Sequence, residues 1–68
     1  MKAISGKEFA NFLEKRGREL KKTKGSHHVY MKAGNPARIS IPIHGNKSLK
    51  IGLLNHFLKI AGIEEKDL

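Results

Sequence analysis

The sequence predicts an α+β fold in which a helix is followed by three antiparallel strands and a second helix. Apolar residues recur at helical spacing near both ends of the chain, whereas the middle alternates between apolar and polar residues. Turn-forming residues separate the alternating runs. We therefore expect a three-stranded antiparallel sheet with two helices on one face, in a single domain spanning residues 1–68.

The first helix is predicted over residues 5–16. Ser5 and Glu8 have the spacing of a capping box, in which each side chain accepts a hydrogen bond from the backbone amide of the other residue. Phe9 and Leu13 then lie on one apolar stripe, which indicates a helix packed on a core. The glycine after the helix suits the left-handed conformation that ends many helices.

The first strand is predicted over residues 18–24 and is mostly polar. Leu20 is its only clear apolar anchor, and its lysines are typical of an exposed edge strand. Gly25 and Ser26 follow as a two-residue hairpin turn, because the first turn position needs a positive φ that glycine adopts without strain.

The second strand is predicted over residues 27–32. Alternation places Val29 and Met31 on one face, which we expect to be the buried one, and Tyr30 on the other. Strict alternation would bury His27 beside Val29. We expect the turn or a bulge to direct the side chain of His27 outward at this first position.

The third strand is predicted over residues 38–43, after turn residues at 33–37. Its isoleucines alternate with Arg38 and Ser40, so the isoleucines are expected in the core and the two polar residues outside. Pro42 has no amide proton for a strand ladder, and it indicates the end of the strand.

The second helix is predicted over residues 49–61, with Ser48 as its N-cap and Gly62 at its end. Leucines, Phe57 and an alanine form its apolar stripe. Gly52 in the first turn costs about 1 kcal/mol relative to alanine, which suggests close backbone packing or the approach of a ligand. The acidic C-terminal residues are expected to be frayed.

Charge is the strongest feature of the composition. Fourteen Lys and Arg against six acidic residues give a net charge of +8, and six basic residues fall between positions 15 and 24. This clustering favours a nucleic-acid interface over a merely solubilising surface. The chain has no cysteine and no apolar segment of membrane-spanning length, so we expect a soluble cytoplasmic protein without membrane contact.

Histidine chemistry is centred on the hairpin. His27 lies just past the turn, and imidazole exchanges protons near neutral pH. With Lys22 and Lys24 beside it, His27 could support attack of an RNA 2′-hydroxyl on the neighbouring phosphate without a metal. The four histidines lack a recognised zinc-ligand spacing. A binding surface whose histidines only contact phosphate explains these residues comparably well.

Four segments together resemble the HicA-type mRNA interferase toxins: Gly-Ser-His-His at 25–28, Ile-Pro-Ile-His-Gly-Asn at 41–46, Leu-Lys-Ile-Gly-Leu-Leu at 49–54 and Ala-Gly-Ile at 61–63. The resemblance implies a fold like that of the double-stranded-RNA-binding domain and endoribonuclease activity against mRNA. It also implies a HicB-type antitoxin partner. The chain departs from the family pattern at Arg18, where an apolar or aromatic residue is usual, so we expect a looser core at that corner.

The resulting hypothesis is a toxin that cleaves mRNA with His27 as its general acid-base group, needing no cofactor and no metal. The residues expected to contact RNA are Lys21, Lys22, Lys24, Gly25, Ser26, His28, Lys47 and Lys50. The alternatives are a noncatalytic RNA-binding module with the same fold and, third, an antitoxin-like or DNA-binding adaptor. The absence of a basic recognition helix disfavours the third.

Overall fold

The computed structural model describes residues 3–68 and confirms the predicted order of elements. The elements are α1 (Gly6–Lys15), β1 (Glu19–Lys24), β2 (His27–Lys32), β3 (Asn35–Pro42), α2 (Ile51–Ala61) and a short 3-10 turn (Glu65–Asp67). The strands form one antiparallel sheet in the order β1-β2-β3. This is the α-β-β-β-α arrangement of the double-stranded-RNA-binding domain. The acidic end, expected to be frayed, instead forms the 3-10 turn.

Helix α1 begins with the predicted capping box. The Ser5 hydroxyl accepts from the Glu8 amide at 3.1 Å, and the Glu8 carboxylate accepts from the Ser5 amide at 3.0 Å. Gly6 is buried at the helix start, where a Cβ atom would collide with the carbonyl oxygen of Pro42. Because only a hydrogen fits there, the first turn of α1 lies directly against the end of β3.

The core lies between the sheet and the two helices. Phe9 of α1 stacks on Phe57 of α2 with ring centroids 5.7 Å apart, and Leu13, Ile39 and Leu54 are fully buried in the same apolar cluster. Both helices therefore cover one face of the sheet, as the sequence predicts. Phe9 and Phe57, the aromatic residues on the apolar stripes of the two helices, are core residues.

The side of β2 that faces the core is the opposite of the predicted side. Tyr30 is 3% exposed, whereas Val29 and Met31 lie on the other face and are only half-buried. The Tyr30 hydroxyl donates to a Glu14 carboxylate oxygen at 3.0 Å, so the ring is buried while its polar end keeps a partner at the rim. His27 follows the strict alternation of the strand, and no bulge redirects it.

Two element boundaries differ from the predicted ones by two or more residues, the starts of β3 and α2. β3 begins at Asn35, so the β2-β3 turn is shorter than expected. α2 begins at Ile51, and its N-cap is Lys50, which makes no side-chain capping bond; Ser48 instead forms an isolated bridge with Ser5. A Cβ added at Gly52 would meet nothing within 4 Å, which rules out close backbone packing as the reason for that glycine.

Arg18 is not part of the exposed first strand. It is 5% exposed, whereas Leu20, the predicted anchor, is 45% exposed. The Arg18 backbone amide donates to the Leu13 carbonyl at the end of α1 at 3.0 Å. Its Nη1 atom is buried without a hydrogen-bond partner among residues 3–68, an unfavourable state for a charged group.

Replacing Arg18 with methionine should therefore stabilise the protein. Removal of the unpaired nitrogen is expected to raise the free energy of unfolding by about 1 to 2 kcal/mol, measured by urea denaturation followed by circular dichroism. The exposed Arg38 provides a matched control, because Arg38→Met should stay within about 0.5 kcal/mol of the parent. A clear loss of stability in Arg18→Met would show that the guanidinium is satisfied in solution.

Tyr30 should make the protein sensitive to alkaline pH. Burial, with the adjacent Glu14 hydrogen bond and charge, raises the pKa of Tyr30 to about 12, from about 10 for an ordinary tyrosine. The folded state thus holds this proton more tightly than the unfolded state. The stabilisation is complete below about pH 10 and is lost as the pH rises from about 10 to 12. Because the hydroxyl lies at the rim of the core, where solvent screens it, we expect a loss of about 1 to 2 kcal/mol.

Tyr30→Phe isolates this contribution from the titration of the lysines. Unfolding free energies of both proteins are to be measured by urea denaturation at mildly and strongly alkaline pH. The parent should lose more stability than the variant over that interval. Equal losses would contradict the assignment.

Candidate nucleic-acid interface

The face of the sheet opposite the helices carries the candidate site. In the observed register Lys24 pairs with His27 and His27 pairs with Pro42, while Lys22 pairs with Val29. Paired residues point to the same side of a sheet. The alternation that buries Tyr30 therefore places His27 outward, in a row with the hairpin lysines.

An open depression occupies this face, with a volume of about 920 Å³. It is lined by Lys22, Lys24, Gly25, Ser26, His27, Val29, Arg38 and Ser40. Positively charged side chains thus come from both outer strands, and the histidine comes from the central strand between them. No carboxylate contributes to the lining.

The hairpin turn fixes the start of the central strand. Gly25 has φ +57°, which confirms the need for glycine at the first turn position. Ser26 accepts a backbone hydrogen bond from the Ile43 amide at 2.8 Å. His27 follows as the first residue of β2, exposed to solvent, and its Nδ1 atom lies 3.4 Å from the Ser40 Oγ atom.

The cations of the depression are available to an anionic ligand. Among the ion pairs formed within residues 3–68, none involves Lys22, Lys24 or Arg38. All three side chains belong to exposed residues. Their charge is therefore not neutralised by this part of the chain, and it favours a polyanion on the open face.

The other predicted RNA contacts lie outside the depression. Lys21 forms an ion pair with Glu19 at 3.1 Å, beside the bulge of β1. His28 is half-buried on the helix-covered side of the sheet, where it pairs with Ile41. The structure does not bring these two residues together with His27, and their role in RNA binding stays a prediction.

Lys47 and Lys50 line a second recess at the start of α2, together with His44 and Pro42. The recess lies at the hairpin end of the sheet, because the hydrogen bond between Ser26 and the residue after Pro42 joins the two regions.

Arg38 and Ser40 also line the depression, and the functional interpretation of the sequence did not include them. Their outward direction on β3 was correctly predicted from alternation, so the signal was present. The pairing of Val29 with Ser40 was not available from the sequence. Without the register between β2 and β3, no sequence pattern predicts that Ser40 lies beside His27.

Two further features of residues 3–68 concern metals and membranes. No three histidine, aspartate or glutamate side chains of this part of the chain are grouped as metal ligands. None of its helices combines the length and the apolar character needed to cross a bilayer.

The fold and the basic, histidine-bearing open face define a class of small α+β proteins built like double-stranded-RNA-binding domains. A family model described as the HicA toxin of bacterial toxin-antitoxin systems matches residues 6–63, and the chain belongs to this family. Its role is accordingly that of a toxin with an antitoxin partner. No curated protein matches the chain at a significant level.

Proposed function

We propose that this toxin is an mRNA interferase, an endoribonuclease that cleaves mRNA with His27 as its general acid-base group and without a metal ion. The observation that carries the proposal is the position of His27 between unpaired cations of both outer strands, on a face of the sheet that the helices leave open. Family membership supports the same assignment, because RNA cleavage is the activity that the family resemblance implies.

The chemistry uses the 2′-hydroxyl of RNA as the nucleophile. His27 takes the proton of that hydroxyl as the O2′–P bond forms and the P–O5′ bond breaks, which leaves a 2′,3′-cyclic phosphate. In-line displacement puts the departing 5′ oxygen on the far side of the phosphorus, so its proton comes from another donor, water or a nearby lysine. His27 then returns its proton to solvent.

Lys22 and Lys24 would stabilise the negative charge that develops on the phosphorane. Lys24 pairs directly with His27 in the sheet register, and Lys22 lies two residues earlier on the same strand. Arg38 approaches from the opposite strand, and its planar guanidinium suits a bidentate contact with a phosphate. Lys47 and Lys50 would hold the RNA backbone further along.

We further infer that a HicB-type antitoxin neutralises the toxin by covering the same open face. An acidic surface would complement the cations around His27 and would exclude RNA by occupying its site. Binding of the antitoxin should therefore weaken as salt is added. Salt-independent binding would contradict this proposal.

His27→Ala should strongly reduce cleavage. The loss of general acid-base catalysis is expected to lower the rate by about 10²- to 10⁴-fold, measured with purified protein and end-labelled mRNA in excess EDTA. His56→Ala removes an exposed histidine of α2 and serves as the matched control, with parental activity expected. Circular dichroism verifies that each protein is folded.

The results distinguish the proposal from its alternative. Cleavage by the parent and the His56 variant, with strongly reduced cleavage by the His27 variant, is the expected pattern. If no protein cleaves and all of them still shift RNA in a gel, the chain is a noncatalytic RNA-binding module. Cleavage that disappears only in EDTA would contradict metal independence.

Lys24→Ala should reduce the salt dependence of RNA binding. A lysine that neutralises one phosphate contributes about 0.7 to the slope of log K against log salt for single strands, so the variant slope should be shallower by about that amount. The measurement uses a fluorescent RNA and a His27→Ala background, which keeps the RNA intact. Lys59→Ala, on α2, should leave the slope unchanged, and equal slopes for all proteins would exclude Lys24 as a phosphate contact.

A further inference from the structure

Ser40 is the side chain that contacts the imidazole of His27. Its Oγ atom lies 3.4 Å from Nδ1 of His27. Because Ser40 pairs with Val29 and His27 pairs with Pro42, the two side chains are diagonal neighbours on the same face of adjacent strands. The strand register therefore maintains this contact.

The two nitrogens of an imidazole are not equivalent, and the partner of one nitrogen decides which of them is free to react. A serine hydroxyl can accept a hydrogen bond from Nδ1–H in both the neutral and the protonated ring, and it can also donate to Nδ1 in the other neutral tautomer. The contact between Ser40 and His27 is therefore compatible with either neutral form. Only the Nδ1–H form leaves Nε2 unprotonated and able to act as the base. One ring atom then takes up and releases the proton throughout the reaction.

We propose that Ser40 is a positioning residue for His27, holding the ring in the Nδ1–H tautomer with Nε2 directed toward the scissile phosphate. The proposal rests on the ribonuclease function proposed above. Ser40 touches the histidine and not the reacting atoms, so its effect on the reaction passes through the tautomer and orientation of the ring.

The charge of the site explains why a hydroxyl suits this task. Carboxylates often orient a histidine, but an aspartate at position 40 would place a negative charge among Lys22, Lys24 and Arg38. It would offset the positive potential that attracts RNA, and it would repel the phosphate. Serine orients the ring without adding charge, in keeping with a depression that has no carboxylate in its lining.

The tautomer of His27 provides a test that does not require activity. In two-bond ¹H–¹⁵N correlation spectra of neutral imidazoles, the parent protein should show His27 mainly as the Nδ1–H form. Ser40→Ala should shift the ring toward the Nε2–H form, and Ser40→Thr, which keeps the hydroxyl, should retain the parental pattern. Thr23 pairs with His28 in the strand register, on the opposite face of the sheet, so Thr23→Ala removes a hydroxyl away from His27 and should change nothing.

Cleavage kinetics provide the second readout. Loss of one neutral hydrogen bond should lower kcat of Ser40→Ala by about 3- to 10-fold with KM unchanged, and Ser40→Thr should restore most of the rate. A parental tautomer and a parental rate in Ser40→Ala would overturn the proposal. So would a Ser40→Thr variant as impaired as Ser40→Ala, because the hydroxyl would then be irrelevant.

The two readouts separate this proposal from the function on which it rests. If the tautomer shifts in Ser40→Ala but the parent cleaves no RNA, the contact with His27 is upheld and the ribonuclease assignment fails. If the parent cleaves RNA and Ser40→Ala behaves like the parent in both measurements, the ribonuclease function stands and the positioning role is excluded.

Discussion

Alternation of side chains across the central strand is the constraint on which both the core and the site depend. Tyr30 points into the core from β2, and the residue pairs of the sheet place Ile39 and Ile41 beside it. The same period of two sends His27 and Ser40 to the other side. A shift of the register by one residue would bury the histidine and expose the tyrosine, so the packing that stabilises the sheet also determines which face carries His27.

The two helices keep the core and the open face apart because both of them pack on the same side of the sheet. The stacked rings of Phe9 and Phe57 join α1 to α2 above the sheet, and the close approach of Gly6 to Pro42 seats α1 at the end of β3. Pro42 is also the strand partner of His27. The start of α1 thus packs against the backbone of β3 at the residue that pairs with His27.

Local patterns predicted much of this arrangement from the sequence. The capping box of Ser5, the inward isoleucines of β3 and the hairpin glycine each follow from interactions within a few residues. The orientation of β2 could not be predicted in this way. Val29 and Met31 are more apolar than tyrosine, so the local pattern placed them in the core in place of Tyr30. The Tyr30 hydroxyl is bonded to Glu14, sixteen residues away in the sequence, and no local pattern predicts a contact over that separation. Burial of Arg18 and the contact of Ser40 with His27 likewise depend on tertiary register, which no local pattern contains.

The open face also bears on how such a protein is controlled. His27 and Ser40 are exposed in the folded chain, and no segment of residues 3–68 lies over the depression they share. Because residues 3–68 leave this face open, the amount of free toxin depends on mass action between the toxin and its antitoxin partner. The relative synthesis and turnover of the two proteins then set that amount.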